Sequence, residues 1–426
     1  MRAARDADWN ERAPAHSTPS DVVESFDLAS FGYPYAGQLT GYGAASMFSL
    51  GQRFREDLVE QNGFLSANYT PGELYVRTTD VSRSLATAQA FMAGLYPPGT
   101  GPAGGLPHRM QPIPVHTTEE SGDFLLQAYV LCARYLEYLR TVYSRDEWEE
   151  KMAENRFLLE DLSDKVRIKL SLQNLYVAAE PLLFLRRNAL HYPSGVTDDM
   201  VDAVLELYNW AETRKMSADS QSSVGAVVSG PLVFEAKRIF ENAIGDPSDP
   251  LRLTYLGGHS RNLLGLFSAL GMENLPNVPG PGAYASIALF RYGNTTDVRD
   301  ARNFYVRVSY NGKPLLVDGC PSAAACPFRT FDQVTSTSAI WYEEWASSCE
   351  PVNGTSSDTP TRHSGTSETR TVTTGYNRTL FFTVVSLIGL TMFVIGGAAG
   401  WWWHRRNTKA VATQYRELVQ KGVLSY

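Results

Sequence analysis

The order of apolar and polar positions reads as short strands, each followed by a helix. Leu74-Tyr75-Val76 opens a short buried strand, and Leu85, Ala88, Met92 and Leu95 then recur on one face of a helix for which Asp80 is the predicted N-cap. Arg77 thereby falls at the carboxyl end of a strand, where open α/β sheets bind their ligands, and a guanidinium there offers a rigid fork of donors to a phosphate. Pairing of Arg77 with Asp80 is the competing reading. A second unit of the same kind spans a strand over residues 251–256, the turn Gly257-Gly258-His259-Ser260, and a helix carrying Leu263, Leu264, Phe267 and Leu270 with Gly271 as its stop. Later strands are predicted over 283–290 and 304–310, with Asn311-Gly312 as a turn.

Helical periodicity fills the rest. Thr40 is placed to cap a helix bearing Leu50, Phe54 and Leu58. From residue 123 to about 240 the helical period dominates, most clearly where Thr197 caps a helix with Asp198 and Asp199 in its first turn and Met200, Val204, Leu207, Tyr208 and Ala211 on one face. Such a block between strands reads as a helical cap over a pocket. The segment before about Pro34 is polar and rich in Pro and Ser.

Charge and hydropathy place the chain. With 426 residues and a net charge of -7, and with no basic stripe, it is large enough for a sizeable core and poorly suited to a phosphate backbone, so nucleic acid is excluded as a partner. Residues 380–403 carry no charge and are long enough to cross a bilayer as a helix. Trp401, Trp402 and Trp403 suit an interfacial belt, and His404-Arg405-Arg406 with Lys409 puts the C-terminus in the cytosol by the positive-inside rule. Gly396 and Gly400 form a small-xxx-small pair that would serve helix association, although glycine is common in such spans. The sequons at Asn68, Asn294, Asn353 and Asn377 all precede the span, which fits a lumenal or extracellular ectodomain.

The 4 cysteines, Cys132, Cys320, Cys326 and Cys349, form no metal-type cluster, so no metal and no cofactor is expected. Residues 1–9 are charged and unlike a signal peptide, which favours a chain that begins after its true start over one inserted by its C-terminal span alone.

The run Arg77-Thr78-Thr79-Asp80-Val81-Ser82-Arg83, with its helix ending in Gly94-Leu95-Tyr96-Pro97-Pro98, closely resembles the second signature of the histidine acid phosphatases. Gln38-Leu39-Thr40 before a helix with Gly51-Gln52-Arg53, and Gln111-Pro112-Ile113-Pro114-Val115-His116-Thr117, are phrases of the same family. The resemblance runs from about Arg12 to Cys349 and implies an α/β/α sandwich of the histidine phosphatase kind, with the helical cap inserted and one transmembrane helix beyond it. It implies hydrolysis of phosphomonoesters at acid pH, with two arginines and a histidine holding the phosphate, a second histidine phosphorylated, and an aspartic acid protonating the leaving group.

Carried over residue by residue, this set is incomplete. Arg77 matches the downstream phosphate-binding arginine and His259 the histidine of the His-Asp pair, but the acid position is Ser260, whose hydroxyl cannot act as the acid. In Asp8-Trp9-Asn10-Glu11-Arg12-Ala13-Pro14, the best match to the first loop, Arg12 and Pro14 are kept while Trp9 stands at the nucleophile position. Indole accepts no phosphoryl group, and His16 nearby is poorly placed for an in-line approach. Two readings therefore stand: an acid phosphatase whose loop is intact in the full gene product, or a pseudophosphatase that binds phosphorylated ligands through Arg12, Arg77 and His259 or serves as a membrane glycoprotein for recognition.

The same resemblance implies bridges Cys132 to Cys349 and Cys320 to Cys326, free thiols being the alternative for a cytosolic domain. Residues 350–378 read as a Ser/Thr-rich stalk, and 404–426 as a short tail in which Tyr415 and Leu418 fit a Tyr-x-x-Φ pattern for a sorting adaptor of the endosomal or lysosomal route. The expected organisation is thus a polar segment 1–34, a phosphatase-like domain 35–349 with its cap, the stalk, the span over 379–403 and the tail. A phosphomonoester or phosphate, a membrane and a second copy of the chain complete the partners expected.

Overall fold

The computed structural model describes residues 37–217, 224–272, 276–293 and 297–349. Trp9, Arg12, His16, Asn294, Asn353, Asn377, the apolar run 380–403 and the tail with Tyr415 and Leu418 lie outside the described residues. Among the described residues no helix is long and apolar enough to cross a membrane.

Thr40 starts the first helix, α1 (Gly41–Arg55), by accepting the Gly43 amide at 3.0 Å, as its position predicts. Strand β1 (Leu74–Thr78) buries Leu74, Val76 and Thr78 and leads into α2 (Ser82–Leu95). The capping differs from expectation. Val81 holds the N-cap position and Asp80 is exposed, because the Thr79 amide donates to the Gly257 carbonyl and the Val81 amide to Thr79, so the chain turns before Asp80 can reach the helix. Helices α1 and α2 touch backbone to backbone. A Cβ on Gly51 would lie 2.0 Å from the Phe91 carbonyl oxygen, and one on Gly94 2.1 Å from that of Phe48, so only glycine permits this approach. Met47, Leu50, Val76, Phe91, Met92 and Leu95 form the core they share with the strand.

The helical block follows as α3 (Ala128–Leu131), α4 (Ala133–Tyr143), α5 (Asp146–Glu154), α6 (Arg156–Val166), α7 (Tyr176–Arg187), α8 (Asp198–Met216) and α9 (Val224–Gly245). Thr197 caps α8 by accepting the Met200 amide at 3.3 Å, and Val201, Val204, Leu207, Tyr208 and Ala211 are buried. The face is turned slightly from the predicted one: Val201 replaces the half-buried Met200 at its head. These helices enclose a core of their own around Trp148, Leu162, Leu182 and Leu185.

Two sheets complete the architecture. Strand β2 (Leu253–Gly257) pairs parallel with β1, Arg77 opposite Leu256 and Thr78 opposite Gly257, and precedes α10 (Ser260–Ala269). The other sheet is antiparallel: β3 (Ala285–Arg291) lies against β4 (Phe304–Tyr310), which also pairs with β5 (Lys313–Leu315) and β6 (Cys326–Pro327). Asn311 and Gly312, at φ 49° and 80°, make the tight β4–β5 turn that an Asn-Gly pair predicts. Helices α11 (Phe328–Val334) and α12 (Tyr342–Cys349) end the described chain. Disulfides join Cys132 to Cys349 and Cys320 to Cys326, the pairing the resemblance implied, and exclude the free-thiol alternative.

Candidate active site

Parallel pairing with matched register decides what lies together. Since Thr78 is opposite Gly257, the turn after β2 carries His259 to the same sheet end that presents Arg77 and Thr79. Thr79 Oγ1 lies 3.2 Å from His259 Nε2 and 3.1 Å from Ser84 Oγ, tying the imidazole to the β1–α2 turn. Asn262 clamps the other side. Its Oδ1 accepts the His259 amide at 2.8 Å and its Nδ2 donates to the Leu126 carbonyl at 2.9 Å. His259 is the N-cap residue of α10 and Ser260 its first residue, so the positive end of the helix dipole lies beside His259.

Arg77 is not paired with Asp80. Its Nη2 donates at 2.5 Å to Oδ1 of Asp123, a carboxylate with no exposed side-chain surface, and the same oxygen accepts the Leu126 amide at 3.1 Å. Burial pushes the Asp123 carboxyl above its ordinary pKa, and the Arg77 charge and these hydrogen bonds only partly oppose it. Arg77 Nε is buried with no hydrogen-bond partner among the described residues, so the guanidinium keeps a donor in reserve beside the site. Asp123 was not marked in the sequence. It stands 46 residues from Arg77, and no local spacing signals the contact.

A second cluster braces the site from the cap. Glu212 Oε1 lies 2.6 Å from Lys215 Nζ and its Oε2 3.3 Å from Arg261 Nε, one residue beyond Ser260. Both Glu212 and Lys215 are 3% exposed. Burial alone would raise the Glu212 carboxyl, but Lys215 and then Arg261 overcome it and hold the pKa down to about 2. The Arg261 guanidinium also sits 5.2 Å from the Tyr176 ring centre. The cap is therefore locked to the first turn of α10 by charge.

His259 and Ser260 open onto a cleft of about 630 Å³ that reaches between the cap and both sheets. Among the described residues no group of His, Cys, Asp and Glu is arranged to hold a metal ion. The residues brought together are one arginine, one histidine, the N-terminus of α10 and a buried carboxylate.

The profile of the histidine phosphatase superfamily (branch 2) matches residues 14–311. The chain belongs to this family. Relatives include a lysosomal acid phosphatase of Xenopus laevis, 28% identical over 352 residues that cover 80% of this chain and 77% of that protein. A testicular acid phosphatase of Mus musculus is 29% identical over 341 residues, covering 76% of this chain and 77% of the relative. Among solved structures, a phytase of Klebsiella sp ASR1 superposes with a TM-score of 0.52 at 17% identity over 80% of this chain and 94% of its own, which shows the mixed α/β fold. The matched region starts at Pro14, the last residue of the expected first loop.

Proposed function

We propose that this histidine acid phosphatase family member binds phosphomonoesters in the cradle of Arg77, His259 and the α10 N-terminus and turns them over slowly or not at all. The observation that carries the reading is Ser260. It occupies the first position of α10 beside a histidine held on both sides, where the resemblance implies a carboxylic acid. Phosphate would be gripped by Arg77 through its spare Nε and by His259, with Arg12 as the second arginine and Trp9 standing where the family has its nucleophile. The second reading is an active acid phosphatase, favoured by the family membership and by relatives named for that activity.

The same proposal includes the setting. Residues 35–349 form the phosphatase-like domain, 350–378 the stalk, 379–403 a single membrane span and 404–426 a cytosolic tail. The lysosomal names of relatives support an endosomal or lysosomal location with the domain in the lumen, as do the two disulfides and the exposed sequon residue Asn68. Tyr415 and Leu418 would engage a sorting adaptor.

The test is expression of the full chain, calorimetry with inorganic phosphate, and an aryl phosphate assay at acid pH. Binding that weakens at least ~30-fold in Arg77→Ala, about 2 kcal/mol, without turnover supports the proposal. Rapid hydrolysis abolished by the same substitution would establish the second reading. Absence of phosphate binding in the wild type would refute both.

A further inference from the structure

His259 stands at a helix position that Ser, Thr, Asp or Asn usually fills. As N-cap of α10 it takes part in a reciprocal box: its side chain accepts the backbone amide of Asn262, three residues on, while Asn262 Oδ1 accepts the His259 amide at 2.8 Å. The Asn262 amide is shared with the His259 carbonyl at 3.0 Å. Asn262 is buried, and its Nδ2 is anchored on the Leu126 carbonyl at 2.9 Å. Gly258 makes room for this carboxamide, because a Cβ there would lie 2.6 Å from Asn262 Oδ1.

These contacts decide where the imidazole proton sits. Nε2 is turned to Thr79 Oγ1 at 3.2 Å, so the ring nitrogen that accepts the amide is Nδ1. An accepting nitrogen carries no hydrogen, which rules out both the Nδ1–H tautomer and the imidazolium. Nε2 must then carry the one remaining proton, since a ring accepting at both nitrogens would have none. The far end agrees. Thr79 and Ser84 are buried, and the Thr79 hydroxyl donates to Ser84 Oγ at 3.1 Å, which leaves the Thr79 oxygen to accept from Nε2.

We propose that Asn262 is a positioning residue that holds His259 as the neutral Nε2–H tautomer, with its single donor turned to the sheet end that carries Arg77. To an anion bound there the histidine then adds a hydrogen bond and no charge. That an anion binds there rests on the function proposed above; the tautomer does not.

The full chain with isotope-labelled histidine is examined by proton–nitrogen correlation at pH 7, and the His259 signals among the 7 histidines are assigned from their loss in His259→Gln. The expected pattern is a bare Nδ1 and an Nε2 proton slow enough in exchange to be seen. A protonated Nδ1, a mixture of tautomers or no visible Nε2 proton overturns the proposal. Asn262→Ala removes the carboxamide and Gly258→Ala displaces it, so each should mix the tautomers and weaken the binding of inorganic phosphate on the order of tenfold in calorimetry. Asn262→Asp, which keeps an acceptor for the His259 amide, should keep the wild-type tautomer. Should Asn262→Ala not fold, Gly258→Ala carries the comparison. A wild-type pattern in the alanine variants, or its loss in Asn262→Asp, denies Asn262 this role. The expected tautomers in a protein that binds no phosphate uphold the proposal and refute the function above.

Discussion

Substitution Glu212→Gln tests the brace between the cap and the His259 turn. Glu212 is depressed from 4.5 to about 2 by Lys215 and Arg261 against the cost of burial. At 1.36 kcal/mol per pH unit, that preference for the ionised form amounts to ~3 kcal/mol. Removing one partner of a buried ion cluster independently costs about 3 to 5 kcal/mol, since Lys215 is left buried and Arg261 half-buried with their charge uncompensated. For a domain of this size 1 kcal/mol moves the melting temperature by roughly 2 °C, so the variant should melt ~6 °C lower at pH 7.

The sign follows from the depressed pKa. The contribution is complete above the unfolded carboxyl range, near 4.5, and is lost as pH falls through the folded value of about 2. The gap between wild type and variant should therefore stay constant from pH 7 to 5, shrink below 4.5 and close near 2. Melting curves followed by circular dichroism across this range measure it. Equal stability at pH 7, or a gap of the same size at pH 2, would refute the electrostatic account of the brace.

Asp123→Asn should strengthen phosphate binding at neutral pH on the order of tenfold, because a buried like charge beside Arg77 is removed; the ratio to wild type should fall toward one as pH drops through the raised Asp123 pKa, and calorimetry of both proteins at each pH cancels the titration of phosphate itself. Gly51→Ala should lower stability by at least ~2 kcal/mol, since its methyl group would meet the Phe91 carbonyl oxygen at 2.0 Å and drive α1 from α2, a loss read in urea unfolding. Replacing both Cys132 and Cys349 by Ser should cost ~5 kcal/mol in the chain-entropy estimate for a separation of 217 residues, against ~2 for Cys320 and Cys326 at a separation of 6, an order that parallel unfolding curves would check.

What the sequence disclosed depended on the range of the interaction. Arg77 could be placed at a strand end because three apolar residues precede it and a helix-period face follows. His259 was legible for the same reason after β2, and the Thr40 and Thr197 caps follow from side chains that reach only three residues. Asp80 misled because a capping residue type stood near a helix start while the Thr79 amide was already committed to Gly257 across the sheet. Glu212 and Lys215 are i, i+3 neighbours on α8, but Asp123 with Arg77, Arg261 with Glu212, and the Gly51–Gly94 contact join residues that share no periodicity, and tertiary packing alone brings them together.

The Cys132–Cys349 bridge has a mechanical consequence. Cys349 ends the last described helix, which is also fastened by the Trp345 indole donating to the Val227 carbonyl at 2.9 Å. Tension arriving from the chain beyond it passes through a covalent staple into the segment between α3 and α4 and through Trp345 into α9. From α9 the load continues into α10, because Ser229 Oγ donates to the Asn262 carbonyl at 3.0 Å. A pull on Cys349 would therefore reach, through α9, the helix that His259 caps.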